Sequence, residues 1–356
     1  MSLTPFEHPF LSGLMGDTEI APLFSAEADI AAMLRFEIAL AQAEAEAEHG
    51  IIPADAAASI ASALSDFKPD MEALANGVAN DGVVIPELVR QLRLTVGGTA
   101  SKNVHFGATS QDVIDTSLML RLKTATGVLA KRLASAIAGL DTVRRRDGQN
   151  GLMGHTRMQA AIPITVSDRV QSWREPLDRS AQRLALFSAE GFAVQFGGAA
   201  GTLEKLGDKG ADVRAALARK LDLANRPQWH NQRDGLAEFA GILSLISGSL
   251  GKFGQDVALL AEVGGEIRLS GGGGSSAMPH KQNPVAAELL VSLARFNAVQ
   301  LSAMHHSLVH EQERSGAAWT LEWLVLPQMV AATGVALSTA IRLLGQIERL
   351  GREGHD

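Results

Sequence analysis

Apolar residues along this chain recur every three or four positions, the period of helices with one buried face. Between Ser25 and His49 the spacing is carried by Ile30, Leu34 and Ile38, and Gly50 follows as a stop. Pro53, Pro69 and Pro86 divide the next stretch into shorter helical pieces. A longer helix is predicted from Thr116 to about Arg146, with Leu118, Leu122, Leu129, Leu133, Ile137 and Leu140 on one stripe. A third long helix runs from about Leu236 to Val263, and a fourth follows Pro284 with Leu289, Leu293 and Phe296 on one face. A fifth closes the chain through Val330, Leu337, Ile341 and Leu344, with Pro327 kinking or starting it. No alternating apolar run with a hairpin turn is visible. Helices of roughly 25 to 30 residues exceed the usual mean of about 11 to 12, so the expected fold class is all-α, a long-helix bundle. Gly97-Gly98-Thr99 precedes the first long bundle helix. The expected division is a small N-terminal helical domain over 1–103 and a central bundle domain over 104–356.

Composition narrows the chemistry. Ala and Leu carry the apolar content, Tyr is absent, and there is no cysteine among the 356 residues, which excludes disulfides and thiolate chemistry. The net charge of −7 disfavours nucleic acid as a partner and means that any anion site must gather its cations locally. The first residues carry no secretory pattern, and no unbroken apolar run reaches the roughly 20 residues of a membrane helix. A cytoplasmic protein with neither membrane nor nucleic-acid partner is expected.

The most informative stretch is Gly271-Gly-Gly-Gly-Ser275-Ser276-Ala-Met-Pro279-His280-Lys281-Gln-Asn283-Pro284. Four glycines supply backbone freedom for a lid or an anion cradle, and a helix start beyond Pro284 offers free N–H groups and a positive dipole end. A disordered linker would not abut two long amphipathic helices, and no Gly-Lys-Ser/Thr closes the run as in a phosphate loop. Gly274 to Pro284 resembles the signature loop of the fumarase/aspartase superfamily, Gly-Ser-Ser-x-Met-Pro-x-Lys-x-Asn-Pro. The resemblance implies that Ser275 carries the proton, and that Lys281 and Asn283 hold the substrate carboxylate. It also places Glu288 where the family pairs a glutamate with a catalytic histidine. The physical logic is general. A proton alpha to a carboxylate leaves a dianion behind, and fixed cations and N–H dipoles aimed at that charge lower the barrier.

Two further segments extend the likeness. His105-Phe-Gly-Ala-Thr109-Ser110-Gln-Asp112-Val-Ile-Asp115-Thr116 can be read as a helix cap, by Thr109 or Ser110, with Asp112 in the first turn. It also resembles the superfamily's first shared region, which implies carboxylate binding by Thr109 and Ser110 and adds His105 to the substrate-binding candidates. Gly154-His155-Thr156-Arg157-Met158-Gln159 through Thr165 resembles the second region, with one departure. Arg157 stands in place of the acid histidine, and His155 stands where the family has arginine. Gln159 completes the candidates there. Arginine cannot act as an acid near neutral pH, but it can fork two hydrogen bonds to a carboxylate. That suits a reaction whose leaving group, run backwards, is a carboxylate needing no protonation. An Arg157–Glu288 ion pair is the corresponding expectation.

Within the superfamily the chain is most similar to the enzymes that lactonise carboxymuconate, on Val104 to Thr116, Phe196 to Thr202, Trp229 to Asp234, and Glu313 to Trp319 with Glu322-Trp323. Adenylosuccinate lyase chemistry and lactonisation of a sulfomuconate are the alternatives. The resemblance implies a polycarboxylate substrate, no metal or other cofactor, and a homotetramer in which three subunits build each site. It also implies a third, C-terminal helical domain that is largely absent from this sequence. The clusters Trp229 to Asp234 and Glu311 to Arg314 read as solvated faces or, alternatively, Arg314 supplies a cation for a multiply charged substrate. His306 and His310, one helical turn apart, read as structural or surface residues, and Gly197 to Gly201 as close backbone packing.

Overall fold

The computed structural model describes residues 4–46, 50–274 and 283–352. Among them the order is α1 (Ser12–Met15), α2 (Ala26–Ala45), α3 (Ala54–Ser65), α4 (Met71–Asp81), α5 (Ile85–Val96) and α6 (Ser110–Asp147). A hairpin of β1 (Gly151–Thr156) and β2 (Gln159–Thr165) follows, then α7 (Val166–Glu190), α8 (Gly210–Leu221) and α9 (Asp234–Val263). The chain ends with β3 (Ile267–Leu269), α10 (Val285–His306), α11 (Gly316–Gln346) and β4 (Ile347–Leu350). The helical class is as expected.

Helices α6, α7, α9, α10 and α11 form the bundle, with α10 lying along both α9 and α11, and α6 along both α7 and α11. At about 1.5 Å per residue, the 38 residues of α6 make a helix about 57 Å long. One core follows the bundle from Leu118 to Leu350. A second joins α2, α3 and α5 to α8, the start of α6 and Trp319. Over 18-residue windows α9 and α11 reach mean hydropathies of 1.2 and 1.7, enough by length and composition to cross a membrane, which run-counting did not register. Yet 61% and 67% of those windows are buried inside the protein, as befits core helices of a bundle.

Several elements differ from the sequence reading. Helix α6 starts at Ser110 rather than Thr116, because Thr109 is its N-cap and Asp112 Oδ2 accepts the Thr109 N–H at 3.0 Å. Helix α7 was not anticipated, although Val166, Val170, Trp173, Leu177, Leu184 and Phe187 bury one stripe of it. Pro327 lies inside α11 rather than at its start. The β1–β2 hairpin contradicts the expectation of no hairpin. Its turn residues Arg157 and Met158 both have positive φ, 46° and 64°, the geometry usually signalled by Asn-Gly, so the usual cue is missing. Glu266 Oε1 accepts the Met153 N–H at 3.1 Å, and Gly151 and Arg352 exchange backbone hydrogen bonds at 3.1 and 2.9 Å. The hairpin base is thus stapled to the β3–β4 ribbon.

Helix α2 buries two acids on an apolar stripe, since Ile30, Met33, Glu37, Leu40 and Glu44 step by three and four and are all buried. Among the described residues neither Glu44 carboxylate oxygen has a hydrogen-bond partner. Burial, and then the nearby Glu37, push its pKa up to about 9. The folded state therefore keeps a proton that the unfolded chain releases above its ordinary value of 4.5. Stability from this group falls as pH rises from that value towards 9. Glu44→Gln should raise the melting temperature at pH 8 by more than at pH 5. An equal change at both pH values would show that Glu44 is ionised in the fold.

Candidate active site

The first turns of α6 carry two acids that are fully buried, Asp112 and Asp115, and each is matched by donors from distant segments. Asp112 accepts the Gly197 and Gly198 N–H groups, both at 2.9 Å, and lies 2.7 Å from His230 Nε2. Gly198 has φ 70°, and a Cβ there would stand 2.9 Å from the Gly107 carbonyl oxygen, so this close approach requires glycine. Asp115 accepts from both ends of the Arg233 guanidinium, at 2.6 and 3.1 Å, and from Trp319 Nε1 at 2.9 Å. Arg233 also donates to Glu322, through Nε at 2.9 Å and through Nη2, and its guanidinium lies 4.7 Å from the Trp229 ring centroid. Burial works against the charge on Arg233, but Asp115 and Glu322 outweigh it and raise its pKa.

The two polar clusters at 229–234 and 311–314 are therefore not both solvated faces. His230 and Arg233 are interior members of this network. Arg314 is exposed, but its Nε donates to Gln111 Oε1 at 3.1 Å and its Nη2 to the Ala199 carbonyl at 3.0 Å. Its charge is thus held over the start of α6, next to half-buried Thr109 and Ser110. A fixed cation beside a helix N-terminus is suited to a carboxylate. His105 lies at the entrance to the same segment, its Nδ1 2.7 Å from Glu37 Oε1. His306 and His310 are not on one helical turn, because α10 ends at His306. The side chain of His310 is buried 3.7 Å from Glu322.

The other expected site residues lie elsewhere in the chain. His155, Arg157 and Gln159 sit on the exposed end of the hairpin, where Met158 is 75% and Ile162 67% exposed. His155 Nδ1 is 3.1 Å from the Met153 carbonyl oxygen. Asn283 closes the stem of the glycine loop, exchanging backbone hydrogen bonds with Gly273 at 3.0 and 2.9 Å. Beside that stem is a cavity of about 560 Å³ lined by Arg268, Arg342 and Gln346 among others. Glu288 is exposed on the first turn of α10. Among the described residues no hydrogen bond or ion pair joins the hairpin, the loop stem and the start of α6. The expected Arg157–Glu288 pair is not formed within one chain. Ser275 and Lys281 lie outside the described residues.

A family model described as lyase matches residues 19–297. The chain belongs to this lyase family. The fold of this family member is of the fumarase/aspartase type. The 3-carboxy-cis,cis-muconate cycloisomerase of Pseudomonas aeruginosa is 40% identical over 334 residues, 92% of this chain and 72% of that one. Among solved structures, the 3-carboxy-cis,cis-muconate lactonizing enzyme of Pseudomonas putida matches with a TM-score of 0.88 at 35% identity, covering 96% of this chain and 77% of the other. A fumarate lyase from Mesorhizobium sp. BNC1 matches with a TM-score of 0.85 at 34% identity, over 94% and 76%.

Sequence reasoning missed Asp115, Glu322 and Glu37 as parts of the candidate site's framework. A signal was present for Glu37, which occupies a stripe position otherwise filled by apolar residues. The framework makes a direct prediction. Arg233→Met leaves Asp115 and Glu322 buried and unpaired, which should cost about 3 to 5 kcal/mol in urea unfolding. A loss below about 1 kcal/mol would mean that these acids find other partners.

Proposed function

We propose that this protein lactonises 3-carboxy-cis,cis-muconate in aromatic catabolism, acting in the cytoplasm as a homotetramer with shared sites. The observation that carries the reading is the convergence of four separate segments on Asp112 and Arg233. That convergence leaves the N-terminus of α6, with Thr109, Ser110 and Arg314, as a carboxylate-binding face. The Pseudomonas aeruginosa and Pseudomonas putida relatives carry the same reaction in their names.

In this reading a substrate carboxylate oxygen adds to a carbon of the double bond. The electron pair moves to the neighbouring carbon as an aci-carboxylate dianion. Lys281 and Asn283 stabilise that charge, and Ser275 delivers the proton that completes the new C–H bond. Solvent then restores the Ser275 proton. Arg157 grips the attacking carboxylate and pairs with Glu288 of another subunit, while His105, His155, Gln159 and Arg314 hold the remaining carboxylates. Sharing between subunits is supported by the wide exposure of the hairpin end, since apolar residues such as Met158 and Ile162 call for a covering surface.

Incubation with 3-carboxymuconate should remove the ultraviolet absorbance of its conjugated diene, whereas sulfomuconate and adenylosuccinate should react far more slowly. Ser275→Ala should lower kcat at least about a hundredfold while sedimenting like the wild type. Retention of more than a few per cent of kcat would take Ser275 out of the proton-transfer role. Arg157→His should damage lactonisation, whereas His155→Asn should raise KM but retain turnover, with no lost acid limb in its pH profile. The reverse pattern would make His155 an acid and favour C–N lyase chemistry of the adenylosuccinate type.

A further inference from the structure

Glu37 has no part in the reaction as written above, yet it is an acid placed in a hydrophobic core. It comes from α2, its Oε1 meets His105 Nδ1, and among the described residues its Oε2 has no hydrogen-bond partner. A buried carboxylate is retained at some cost to stability, so its contact with His105 calls for a reason. His105 is unusual in a second respect. Its φ is 60°, in the left-handed region that non-glycine residues seldom occupy and that clusters at functional sites.

The surroundings hold that conformation in place. Arg93 Nη2 donates to the Val104 carbonyl at 3.2 Å on one side. On the other, Gly107 lies close against the side chain of Leu206. Among the described residues His105 Nε2 has no hydrogen-bond partner, and the side chain retains 13% exposure. One ring nitrogen is therefore tied to a buried carboxylate. The other is open, on the segment that leads directly into Thr109 and Ser110.

We propose that Glu37 is a positioning residue that accepts the His105 Nδ1–H and so makes Nε2 the nitrogen presented to a substrate carboxylate. The role of His105 towards substrate rests on the function proposed above; the tie to Glu37 does not. In the neutral ring the proton then resides on Nδ1 and the lone pair on Nε2. A proton arriving from solvent enters at Nε2, facing the site. The resulting imidazolium donates to the substrate carboxylate in front, and Glu37 balances its charge from behind. This gives a protein of net charge −7 a local cation without an additional arginine or lysine. It also selects polycarboxylates over substrates lacking a carboxylate at that position.

The test uses the full chain with ¹⁵N-labelled histidine. In the wild type, at a pH where the ring is neutral, His105 should show the Nδ1–H tautomer. Glu37→Gln keeps an acceptor oxygen and should preserve that tautomer, whereas Glu37→Leu should release the ring to the commoner Nε2–H form. With 3-carboxymuconate, Glu37→Leu should raise KM about tenfold or more, the scale of a charge-assisted hydrogen bond, and change kcat by less than about threefold. Glu37→Gln keeps the tautomer but not the balancing charge, so its KM should lie between those of the wild type and the apolar variants. Glu37→Met serves as a second apolar variant should Glu37→Leu fold poorly. An Nε2–H tautomer in the wild type would overturn the proposal, and so would an unchanged KM in both apolar variants. Failure of the wild type to turn over the substrate would instead count against the proposed function, and the tautomer measurement would still report on Glu37.

Discussion

A single buried guanidinium organises the site end of this molecule. Arg233 is clasped by Asp115 on α6 and Glu322 on α11, so it ties two long bundle helices to the loop that precedes a third. Two acids and one arginine with no access to water are tolerable only in near-ideal geometry, because each charge lost its hydration on folding. The geometry in turn anchors the first turns of α6, whose start is set by the Thr109 cap. The start of α6 sets the positions of Thr109 and Ser110, and its Gln111 holds Arg314. Removing the clasp would leave the bundle its apolar core while loosening the orientation of the proposed carboxylate-binding face.

The same arrangement resolves an electrostatic difficulty. In the proposed function a polycarboxylate approaches a protein of net charge −7 at a segment containing two aspartates. Both are paired inward, Asp112 with the Gly197 and Gly198 N–H groups and His230, Asp115 with Arg233 and Trp319. What remains facing outward is a helix N-terminus and the Arg314 cation. Acids that look unfavourable near an anion site are thus the supports that aim its donors.

Much of the bundle was legible from the chain, because the stripes of α9 and α10 are long and regular. The beginning of α6 was not, since its first turns are polar and their burial depends on Gly197, His230 and Arg233, far away in sequence. Polar clusters are ambiguous for that reason. Trp229 to Asp234 carries the composition of a solvated face, and only tertiary pairing places His230 and Arg233 inside. The hairpin escaped notice because Arg157 and Met158 adopt positive φ without the usual Asn-Gly cue. The signature segments were recognisable by their wording, yet among the described residues no hydrogen bond or ion pair joins the hairpin and the loop stem to the start of α6, and the proposed function brings them together through other subunits.

The most direct test of this account is a crystal structure of the assembled protein with 3-carboxymuconate bound to the Ser275→Ala variant. The account predicts one substrate carboxylate on the Thr109 and Ser110 segment within reach of Arg314. Arg157 of one neighbouring subunit and Asn283 of another should meet the same molecule. A substrate bound with Arg314 and the start of α6 left free, or a site completed within one chain, would contradict it.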